Sequence, residues 1–370
     1  MKYYIIAGEA SGDLHGSNLM KALYKEDPKA DIHFWGGDLM QNVGGTLVKH
    51  YRELAFMGFI EVIFNLKTIL NNIKICKKDI LEFQPDVLLF IDYPGFNLRI
   101  AKWAKELGFK NHYYISPQIW AWKESRITEI KRDIDKMYVI LPFEKKFYED
   151  KHHFPVEFVG HPLIDAIHNQ TPIDSTVFRK ENKLDEKPII ALLPGSRKQE
   201  ITKMLSVMLS VVNDFPDYQF VIAGAPSQEY SFYQSFIFNE NIKFISNKTY
   251  ALLQNSTAAL VTSGTATLET ALFKVPEVVC YKGSWVSYQI AKRIITLKYI
   301  SLVNLIMDEE VVTELIQEDC TTKHIREELK KILESSHRTQ LLEKYNVLEA
   351  KLGGIGASEK TAKLIVADLK

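Results

Sequence analysis

The sequence predicts an α/β protein built from two Rossmann-like domains that face a cleft, each with a parallel sheet flanked by helices. Short apolar runs closed by turn residues alternate with helical patterns along the chain, which is typical of parallel sheets. Two of these runs, at residues 3–7 and 189–193, each lead into a loop that contains glycine. A length of 370 residues also favours two domains over a single core. We therefore expect a phosphate-bearing ligand in the cleft.

The composition is that of an ordinary globular protein without a dominant charge. Lysine plus arginine and aspartate plus glutamate balance at 46 each, so no global field attracts nucleic acid, and any anion site has to be local. The three cysteines are too scattered for a disulfide framework or a metal cluster. We expect each to be a small buried residue of a protein in a reducing cytoplasm. No apolar run approaches the ~18 residues of a membrane span, and the first strand leaves no room for a signal peptide.

A polar segment without strand pattern, residues 165–187, divides the chain. Because strand–helix alternation starts again after it, we expect an N-terminal domain over residues 1–165 and a C-terminal domain over residues 166–344. The remaining tail, about residues 345–370, has an amphipathic helical pattern.

The elements of the first half follow from apolar and aromatic runs bounded by glycine, proline or polar residues. The clearest strand, residues 85–92, is largely apolar and ends in the carboxylate of Asp92. Helical patterns lie at residues 17–24 and 98–107. The strand-like segments of this half are residues 3–7, 32–35, 85–92, 112–115, 136–142 and 156–162.

The second half repeats the alternation of strand and helix. Its first run is apolar and stops abruptly at Pro194 and Gly195, which indicates a buried strand of a parallel sheet. The predicted strands are residues 189–193, 219–223, 242–244, 258–261 and 277–281. The predicted helices are residues 201–215, 250–255 and 285–296, followed by a helical tail over residues 324–370 with a break at residues 353–356.

Asp92 is the candidate general base. Ligands of open parallel sheets gather beyond the carboxyl ends of the strands, and the loop 92–97 lies at such a position. Because Asp92 ends an apolar strand, we expect partial desolvation to raise the pKa of its carboxyl group and make it a better base. The structural alternative is a turn-initiating aspartate, since tyrosine, proline and glycine follow it.

The loop after the first strand, residues 8–13, carries the polar residues Glu9, Ser11 and Asp13. It does not match the dinucleotide-binding pattern, because Glu9 stands where that pattern needs bare backbone. Ser11 and Asp13 suit helix capping, whereas Glu9 has no such structural role.

The loop 194–198 is suited to binding a phosphate. It offers backbone N–H groups, the hydroxyl group of Ser196 and the guanidinium group of Arg197. A surface ion pair is the structural alternative for Arg197.

The loop 263–269 offers a second anion site. Ser263 is a suitable N-cap, and the small residues Gly264 and Thr265 would let a phosphate approach the free N–H groups of the following helix. Glu269, less than two helical turns beyond Ser263, can accept hydrogen bonds from a ribose. Ordinary helix capping is the alternative for Ser263 and Gly264.

Residues 56–75 have helical spacing but carry more large apolar side chains than one face of a helix needs. The segment is either a helix buried in the first domain or a lipid-facing surface, with nearby lysines that suit anionic headgroups. The residues assigned to this surface are Phe56, Phe59, Ile60, Ile63, Leu66 and Leu70.

Two tryptophans, Trp120 and Trp122, follow the strand at residues 112–115. Stacking on a sugar and burial in the core are both open for them. No grouping of histidine, cysteine and aspartate has the spacing of metal ligands, so we expect no metal site.

Six short motifs stand in a characteristic order along the chain. They are residues 8–13, residues 90–97, residues 116–117 with 120–122, residues 141–144, residues 193–197 and residues 263–269. As an ordered set they are highly specific. From about residue 3 to about residue 320, the chain resembles the lipid-A-disaccharide synthase family.

The resemblance implies a glycosyltransferase-B fold, with the UDP-sugar bound by the second domain and a C-terminal helix that often returns to the first. It implies the condensation of UDP-2,3-diacylglucosamine with 2,3-diacylglucosamine 1-phosphate. The products would be a β-1,6-linked disaccharide 1-phosphate and UDP, formed with inversion and without a required metal or other cofactor.

The resemblance also implies roles for individual residues. Asp92 matches the base that takes the proton of the acceptor 6-hydroxyl, and Gly8, Glu9 and Ser11 belong to the active-site loop. The apolar segment at residues 56–73 becomes a dock for acyl chains. Positions that resemble contacts of the donor UDP are Arg197, Glu269, Arg293 and Asn304. Two positions depart from the family, since Gly95 stands where a second aspartate is frequent and Val303 where a proline is common.

The partners expected on this basis are the two lipid sugars and the inner face of the inner membrane, on which a cytoplasmic protein would lie peripherally. Nucleic acid is not expected. The sequence leaves the oligomeric state open, and a homodimer is one of the states that it allows.

Two other functions stay open on the sequence. A UDP-N-acetylglucosamine 2-epimerase of the same fold would share the nucleotide-binding half but would not need an apolar surface. A non-catalytic module that binds phosphorylated lipids would attach to membranes and release no UDP.

Overall fold

The chain forms two compact units, each described here by itself. One consists of Met1–His168 with Leu352–Lys370, and the other of Asn169–Lys351. The chain therefore leaves the first unit after His168, where the sequence suggests a boundary after residue 165, and returns to it at Leu352. The structure is a computed structural model, which describes residues 1–54, 66–225, 228–283 and 298–370.

The described residues of the first unit contain a parallel sheet of seven strands. The strands are β1 (Lys2–Ala7), β2 (Asp31–Gly36), β3 (Thr46–His50), β4 (Val87–Ile91), β5 (Asn111–Tyr114), β6 (Lys136–Val139) and β7 (Glu157–Phe158). Their order across the sheet is β3-β2-β1-β4-β5-β6-β7. Every residue of β4 is buried, as expected for a central strand covered on both faces. The sequence analysis missed only β3, a half-exposed edge strand without a long apolar run.

The first helix begins seven residues earlier than predicted, so most of the expected loop 8–13 is helical. Glycine is unfavourable inside a helix, and Gly12 and Gly16 concealed the start of this one. Close packing outweighs this low helix propensity, because Gly12 lies directly against Ala7 of β1. The helices of this unit up to His168 are α1 (Ala10–Glu26), α2 (Asp38–Val43), α3 (Leu66–Phe83), α4 (Pro94–Glu106), α5 (Ile127–Asp133), α6 (Pro142–Lys146) and α7 (Pro162–His168).

The second unit contains a parallel sheet of six strands among its described residues. The strands are β8 (Ile189–Leu193), β9 (Gln219–Gly224), β10 (Ile242–Ser246), β11 (Ala258–Thr262), β12 (Glu277–Tyr281) and β13 (Glu314–Ile316). Their order is β10-β9-β8-β11-β12-β13. The first five were predicted from their apolar runs, whereas the three-residue strand β13 was not.

The described helices of the second unit are α8 (Ser175–Glu181), α9 (Lys198–Leu209), α10 (Tyr230–Gln234), α11 (Thr249–Gln254), α12 (Thr265–Leu272), α13 (Leu302–Met307), α14 (Thr322–Leu333) and α15 (Ser335–Lys351). Helices α9 to α13 connect the parallel strands, whereas α8 precedes the first strand and α14 and α15 follow the last. The helix predicted over residues 285–296 lies outside the described residues.

The last helix, α16 (Ala357–Leu369), belongs to the first unit. The predicted break before it is confirmed, because Gly353, Gly354 and Gly356 have positive φ angles. Asp165 holds the start of α16 by accepting hydrogen bonds from the backbone N–H groups of Gly356 (2.6 Å) and Ser358 (3.0 Å). The helical tail predicted over residues 324–370 is thus divided at this break, with α15 in the second unit and α16 in the first.

A hydrophobic core lies in each unit. In the first it includes the fully buried rings of Trp35, Phe90 and Tyr113, and in the second it includes Leu252 and Val261. Burying a large apolar side chain stabilises the fold by about 1.5–3 kcal/mol, so these cores fix the strand ends that carry the polar loops. The three cysteines are buried, as predicted.

Candidate active site

The strand order of the first unit reverses between β1 and β4, which is where open parallel sheets bind ligands. Ala7, at the end of β1, pairs with Ile91 at the end of β4. The loops that begin at Gly8 and Asp92 therefore leave the sheet side by side. The sequence analysis placed polar groups in both loops, and the topology brings them together.

The backbone at Asp92 has an unusual conformation. Asp92 and Tyr93 both lie in the left-handed region, with φ angles of 43° and 48°. Such residues cost on the order of 1–3 kcal/mol each and are frequent at functional sites. The carbonyl oxygen of Asp92 accepts hydrogen bonds from Tyr113 Oη (2.5 Å) and from Asn97 Nδ2 (2.7 Å), which hold this conformation. Neither Asn97 nor Tyr113 was assigned to the site from sequence.

The Asp92 carboxyl group has the electrostatics expected of a general base. Its pKa is raised to about 6, first by burial and second by the negative charge of Glu9, while a hydrogen bond from the Tyr93 N–H group opposes the shift. The rise that desolvation was expected to cause is confirmed. Because a pKa near the working pH is best for proton transfer, the group is suited to catalysis.

Gly8 allows the two loops to approach each other. A Cβ atom at this position would overlap the ring of Tyr93. Glu9 occupies the N-cap position of α1, its side chain makes no capping hydrogen bond, and its surface is exposed. Ser11 is exposed in the first turn of the same helix. Both side chains are therefore exposed at the start of α1, and the charge of Glu9 acts on Asp92.

Asp13 has a structural role that differs from the expected one. It does not cap its own helix; it accepts hydrogen bonds from the backbone N–H groups of Gly37 (2.8 Å), Leu39 (3.1 Å) and Met40 (3.0 Å). These groups form the start of α2, so Asp13 caps the second helix. Its carboxylate is buried in these bonds and is not offered to a ligand.

The loop after β5 is organised by Glu144, which sequence reasoning did not single out as a functional residue. Its buried carboxyl group accepts hydrogen bonds from Ser116 Oγ (2.5 Å) and Trp120 Nε1 (3.2 Å), as well as from two backbone N–H groups. Burial raises the pKa of Glu144. Trp120 is thereby held half-buried, whereas Trp122 is 48% exposed, so the two tryptophans differ in the roles they can play.

In the second unit the strand order reverses between β8 and β11, and Leu193 pairs with Val261 at their ends. A pocket of about 270 Å³ lies at this switch point. It is formed by the two loops predicted to bind an anion and by the end of β9. The lining residues are Leu193, Gly195, Ser196, Glu200, Ala223, Gly224, Ala225, Thr249, Thr262, Ser263, Gly264, Thr265, Ala266 and Glu269.

The loop after β8 contains a carboxylate that the sequence analysis overlooked. The Glu200 Oε2 atom lies 3.3 Å from the backbone nitrogen of Ser196 and accepts its hydrogen bond. Gly195 has a φ angle of +99°, and a Cβ atom there would overlap the Glu200 carboxylate. Only glycine tolerates both conditions. An acidic side chain therefore occupies part of the predicted anion cradle.

The loop after β11 leaves the start of α12 open. Ser263 is not the N-cap, because its hydroxyl group donates to the carbonyl oxygen of Ile300 (2.8 Å), and Gly264 takes that position without a side-chain bond. The capping alternative for Ser263 is therefore wrong. Nothing lies within 4 Å of where a Cβ atom of Gly264 would be, and Thr265 is exposed beside it. The first N–H groups of α12 are thus accessible to an anion.

Two further polar groups face this pocket. The carboxyl group of Glu269 accepts a hydrogen bond from Tyr250 Oη (3.1 Å), and burial raises its pKa. Thr262 is buried at the end of β11, and its hydroxyl group has no hydrogen-bond partner among the described residues. Its position at a strand end is the signal that could have identified it.

The sequence matches a known protein family over nearly its whole length. The family model for lipid-A-disaccharide synthetase matches residues 3–366. The chain belongs to this family. The family predicted from the ordered motifs is therefore confirmed, and with it the prediction of a glycosyltransferase that forms the lipid A disaccharide.

Relatives of the lipid-A-disaccharide synthetase family cover almost the whole chain. The lipid-A-disaccharide synthase of Coxiella burnetii is 38% identical over 368 residues, which are 98% of this chain and 96% of that one. The synthase of Idiomarina loihiensis is 37% identical over 375 residues, with 98% and 97% covered. That of Trichlorobacter lovleyi is 36% identical over 372 residues, with 98% and 96% covered.

Solved structures confirm the predicted fold. The glycosyltransferase of kitacinnamycin has a TM-score of 0.68 at 13% identity, with 100% of this chain and 99% of that one covered. The calicheamicin glycosyltransferase CalG4 has a TM-score of 0.61 at 13% identity, with 100% and 98% covered. The UDP-GlcNAc 2-epimerase of Neisseria meningitidis has a TM-score of 0.65 at 14% identity, with 100% and 99% covered. At these identities the likeness concerns the fold alone.

The residues assigned to donor contacts by the family resemblance lie in different environments. Arg197 is exposed at the N-cap position of α9, next to the pocket loop. Asn304 is fully buried, and its side chain bonds to the backbone of Val311 and Val312 and to Glu314. The side-chain amide is thus engaged within its own unit, and a contact of Asn304 with the donor stays a prediction. Arg293 lies outside the described residues.

Two residues of the predicted acyl-contact segment, Leu66 and Leu70, lie in α3. Leu66 begins α3, and Leu70 on the same helix is 50% exposed. Among the described residues, no helix combines the length and apolar character needed to cross a bilayer. In the same ranges, no group of three or more potential ligand side chains is arranged to hold a metal ion. The remaining residues of the assignment, Phe56, Phe59, Ile60 and Ile63, lie outside the described residues.

Proposed function

We propose that the chain transfers a diacylglucosamine unit from UDP-2,3-diacylglucosamine to the 6-hydroxyl group of 2,3-diacylglucosamine 1-phosphate. The products are the β-1,6-linked disaccharide 1-phosphate and UDP. In a chain of this family, the main support for the proposal is a pair of sites, each at the point where the strand order of a sheet reverses. One presents a carboxyl group of raised pKa, and the other an open helix N-terminus in a pocket.

Asp92 acts as the general base in this reaction. Its carboxylate takes the proton of the acceptor 6-hydroxyl while that oxygen attacks the anomeric carbon of the donor from the face opposite UDP. The new glycosidic bond forms, the bond to the diphosphate breaks, and the configuration at the anomeric carbon inverts. Asp92 holds the proton at the end of the step, and UDP leaves with the bonding electrons. Such base catalysis typically contributes about 10²–10⁴-fold.

The pocket of the second unit binds the donor. The free N–H groups at the start of α12, beside Gly264 and Thr265, and the loop that carries Ser196 and Arg197 receive the diphosphate, whose negative charge grows as it leaves. The Glu269 carboxyl group accepts hydrogen bonds from the ribose, since it already lies in the pocket wall. Ser263 shapes the loop through its bond to the Ile300 carbonyl.

The first unit therefore binds the acceptor and the second the UDP-sugar. The proposed chemistry requires both sites to act on the same pair of substrates. Gly8, Glu9 and Ser11 line the acceptor side, and burial, with the charge of Glu9 as the second cause, keeps the pKa of Asp92 high enough for proton uptake.

We also infer that the protein lies peripherally on the inner face of the inner membrane, where its lipid substrates would be met. The exposed side of α3 supports this, because it combines the large apolar residues Leu70, Ile75 and Leu81 with the exposed lysines Lys74 and Lys78. This combination of apolar and cationic side chains suits an anionic membrane surface. A flotation assay with anionic vesicles tests it.

The decisive experiment measures UDP release by the purified full chain with diacylated donor and acceptor together. We expect release that depends on both lipid sugars, with formation of the disaccharide. The control measures epimerase activity, because UDP-GlcNAc 2-epimerases share this fold. We expect the chain not to interconvert free UDP-N-acetylglucosamine and its 2-epimer. Epimer formation without disaccharide would refute the proposal.

A further inference from the structure

An exposed tryptophan with two cations lies in the turn between β5 and α5. Trp122 is 48% exposed, which is unusual for so large an apolar side chain. The Lys123 Nζ atom lies 4.4 Å from the centre of its ring, and the Arg126 guanidinium carbon lies 5.7 Å away. We call Trp122, Lys123 and Arg126 the tryptophan–cation cluster. None of these residues belongs to the catalytic or donor sites described above.

The positive charge of this cluster is not neutralised by Glu124, the acidic residue that lies between Lys123 and Arg126 in sequence. Glu124 lies between the two cations in sequence, but its carboxylate pairs with Lys151 (2.7 Å) and His152 (3.0 Å). Within the part of the chain that the structure describes, neither Lys123 nor Arg126 has an ion-pair partner. The cluster therefore offers two cationic groups and an aromatic face to a ligand from solution.

The cluster lies in the segment that follows β5, the strand next to the one that ends at the base. Strand β5 is the neighbour of β4, with Tyr114 paired to Ile91, so the loops after both strands leave the same edge of the sheet. The Tyr113 hydroxyl group bonds to the Asp92 carbonyl oxygen. The pKa of Tyr113 is raised by burial and by Asp92, and the Arg126 guanidinium group opposes this rise, so both charged groups lie close enough to the Tyr113 hydroxyl to act on it.

The loop that leads to the cluster is held in place before any ligand binds. Glu144 bonds to Ser116 and Trp120, and the ring of Trp120 packs edge-on against Phe143 at 4.8 Å. An anchored loop loses little conformational entropy on binding, so its cations can recognise a ligand at a fixed distance from the base.

We propose that the tryptophan–cation cluster binds the phosphate group of the acceptor. This inference rests on the proposed function, which supplies an acceptor with a phosphate monoester. The guanidinium group of Arg126 matches two phosphate oxygens, Lys123 adds a point charge, and the face of Trp122 packs against the sugar ring. The cluster thereby selects phosphorylated acceptors and positions the 6-hydroxyl group at Asp92.

The test compares two acceptors, the phosphorylated lipid sugar and the same sugar without its phosphate. UDP release is measured for the full wild-type chain and for Arg126→Ala and Lys123→Ala. The matched control is Lys131→Ala, which removes an exposed lysine from α5 without touching the cluster. We expect the wild type to prefer the phosphorylated acceptor by at least tenfold in kcat/KM. Arg126→Ala should lose most of this preference through a higher KM, and Arg126→Lys should recover part of it.

The KM for the donor should stay within about twofold in all variants. Lys131→Ala should behave as the wild type. If Arg126→Ala and Lys123→Ala lower kcat/KM equally for both acceptors, the cluster does not bind the phosphate and the inference is wrong. If the wild type releases no UDP with either acceptor, the proposed function itself fails, so the two failures are distinguishable.

A phosphate could also come from a lipid headgroup, and a second measurement separates this source. Binding to vesicles of phosphatidylglycerol and of phosphatidylcholine is compared for the wild type and Arg126→Ala. We expect equal binding by the two proteins. Lost binding to the anionic vesicles, with unchanged preference between the two acceptors, would overturn the proposal and assign the cluster to the membrane.

Discussion

The Tyr113 hydroxyl group donates a 2.5 Å hydrogen bond to the backbone carbonyl oxygen of Asp92. Tyr113 belongs to β5, and Asp92 follows β4, so the bond ties the candidate base to the neighbouring strand. It acts on the backbone and leaves the carboxyl group available to a substrate. Together with the bond from Asn97, it holds a left-handed conformation that an aspartate rarely adopts.

Replacing Asp92 by asparagine should abolish catalysis while preserving donor binding. The amide keeps the shape of the side chain but cannot accept the proton, so we expect kcat to fall by about 10²–10⁴-fold. The dissociation constant for UDP, measured by calorimetry, should not change, because the proposed UDP pocket is formed by residues of the other unit. Turnover near that of the wild type would remove Asp92 from the role of base.

The pH dependence of turnover should show an acidic limb near pH 6. Asp92 must be ionised to accept a proton, and its pKa is raised to about 6, so kcat should fall as the pH drops below that value. In Glu9→Gln the repulsion from Glu9 is removed, and the limb should move to lower pH. A limb at the same pH in both proteins would show that Glu9 does not influence the base.

Replacing Asn97 by alanine should both destabilise the fold and slow the reaction. The Asn97 amide is buried and donates to Asp92, so its loss should lower the free energy of unfolding by about 1–3 kcal/mol and release the backbone at the base. Urea denaturation and UDP release measure the two effects.

Asn182→Ala is the control for this variant. The Asn182 amide also donates to a backbone carbonyl, that of Phe178, but in the second unit. It should lower stability without changing kcat for the folded protein. Equal turnover in Asn97→Ala and the wild type would contradict a positioning role for Asn97.

Replacing Glu200 by glutamine should tighten the binding of UDP. The carboxylate takes the Ser196 N–H group and places a negative charge in the pocket, so a diphosphate has to displace it. Removing the charge should lower the dissociation constant about tenfold, or ~1.4 kcal/mol. Gln199→Ala, at the exposed neighbouring position, should leave binding unchanged. Weaker binding in Glu200→Gln would instead mean that the carboxylate shapes the cradle for the ligand.

Glu277 should make the stability of the protein depend on pH. Its side chain is fully buried at the start of β12, neither carboxylate oxygen has a partner among the described residues, and burial raises its pKa well above the ordinary value. The folded state therefore keeps a proton that the unfolded chain releases above its ordinary pKa of about 4.3. The stabilisation is present below that pH and is lost as the pH rises toward the pKa of the folded state.

The variant Glu277→Gln removes this titration. Its free energy of unfolding relative to the wild type should increase with pH by up to ~1.4 kcal/mol per unit, starting near pH 5. Urea denaturation at several pH values between 5 and 8 measures the difference. A constant difference over this range would show that Glu277 does not take up a proton on folding.

Sequence reasoning identified the strand ends that carry the site, but not all of the side chains that complete it. Asp92, Gly195 and Gly264 were found because apolar runs end at turn residues, which is a local pattern. Glu200 and Thr262 were missed, since a glutamate in a helix and a threonine at the end of a strand are ordinary in sequence. They became candidates only when the pocket showed both facing the same space.

The amino-acid order by itself determined the class of fold, the two candidate sites at strand ends and, through its ordered motifs, the family. Each depends on the spacing of apolar and turn residues over a few positions. Tertiary structure alone decided that Asp13 caps α2, that Glu144 holds the loop after β5 and that Asn304 is committed to its own unit. Asp13 bonds to Gly37, 24 residues away, and Glu144 bonds to Ser116, 28 residues away. A polar side chain bonds to whatever the order of the strands brings beside it, and local spacing does not contain that order.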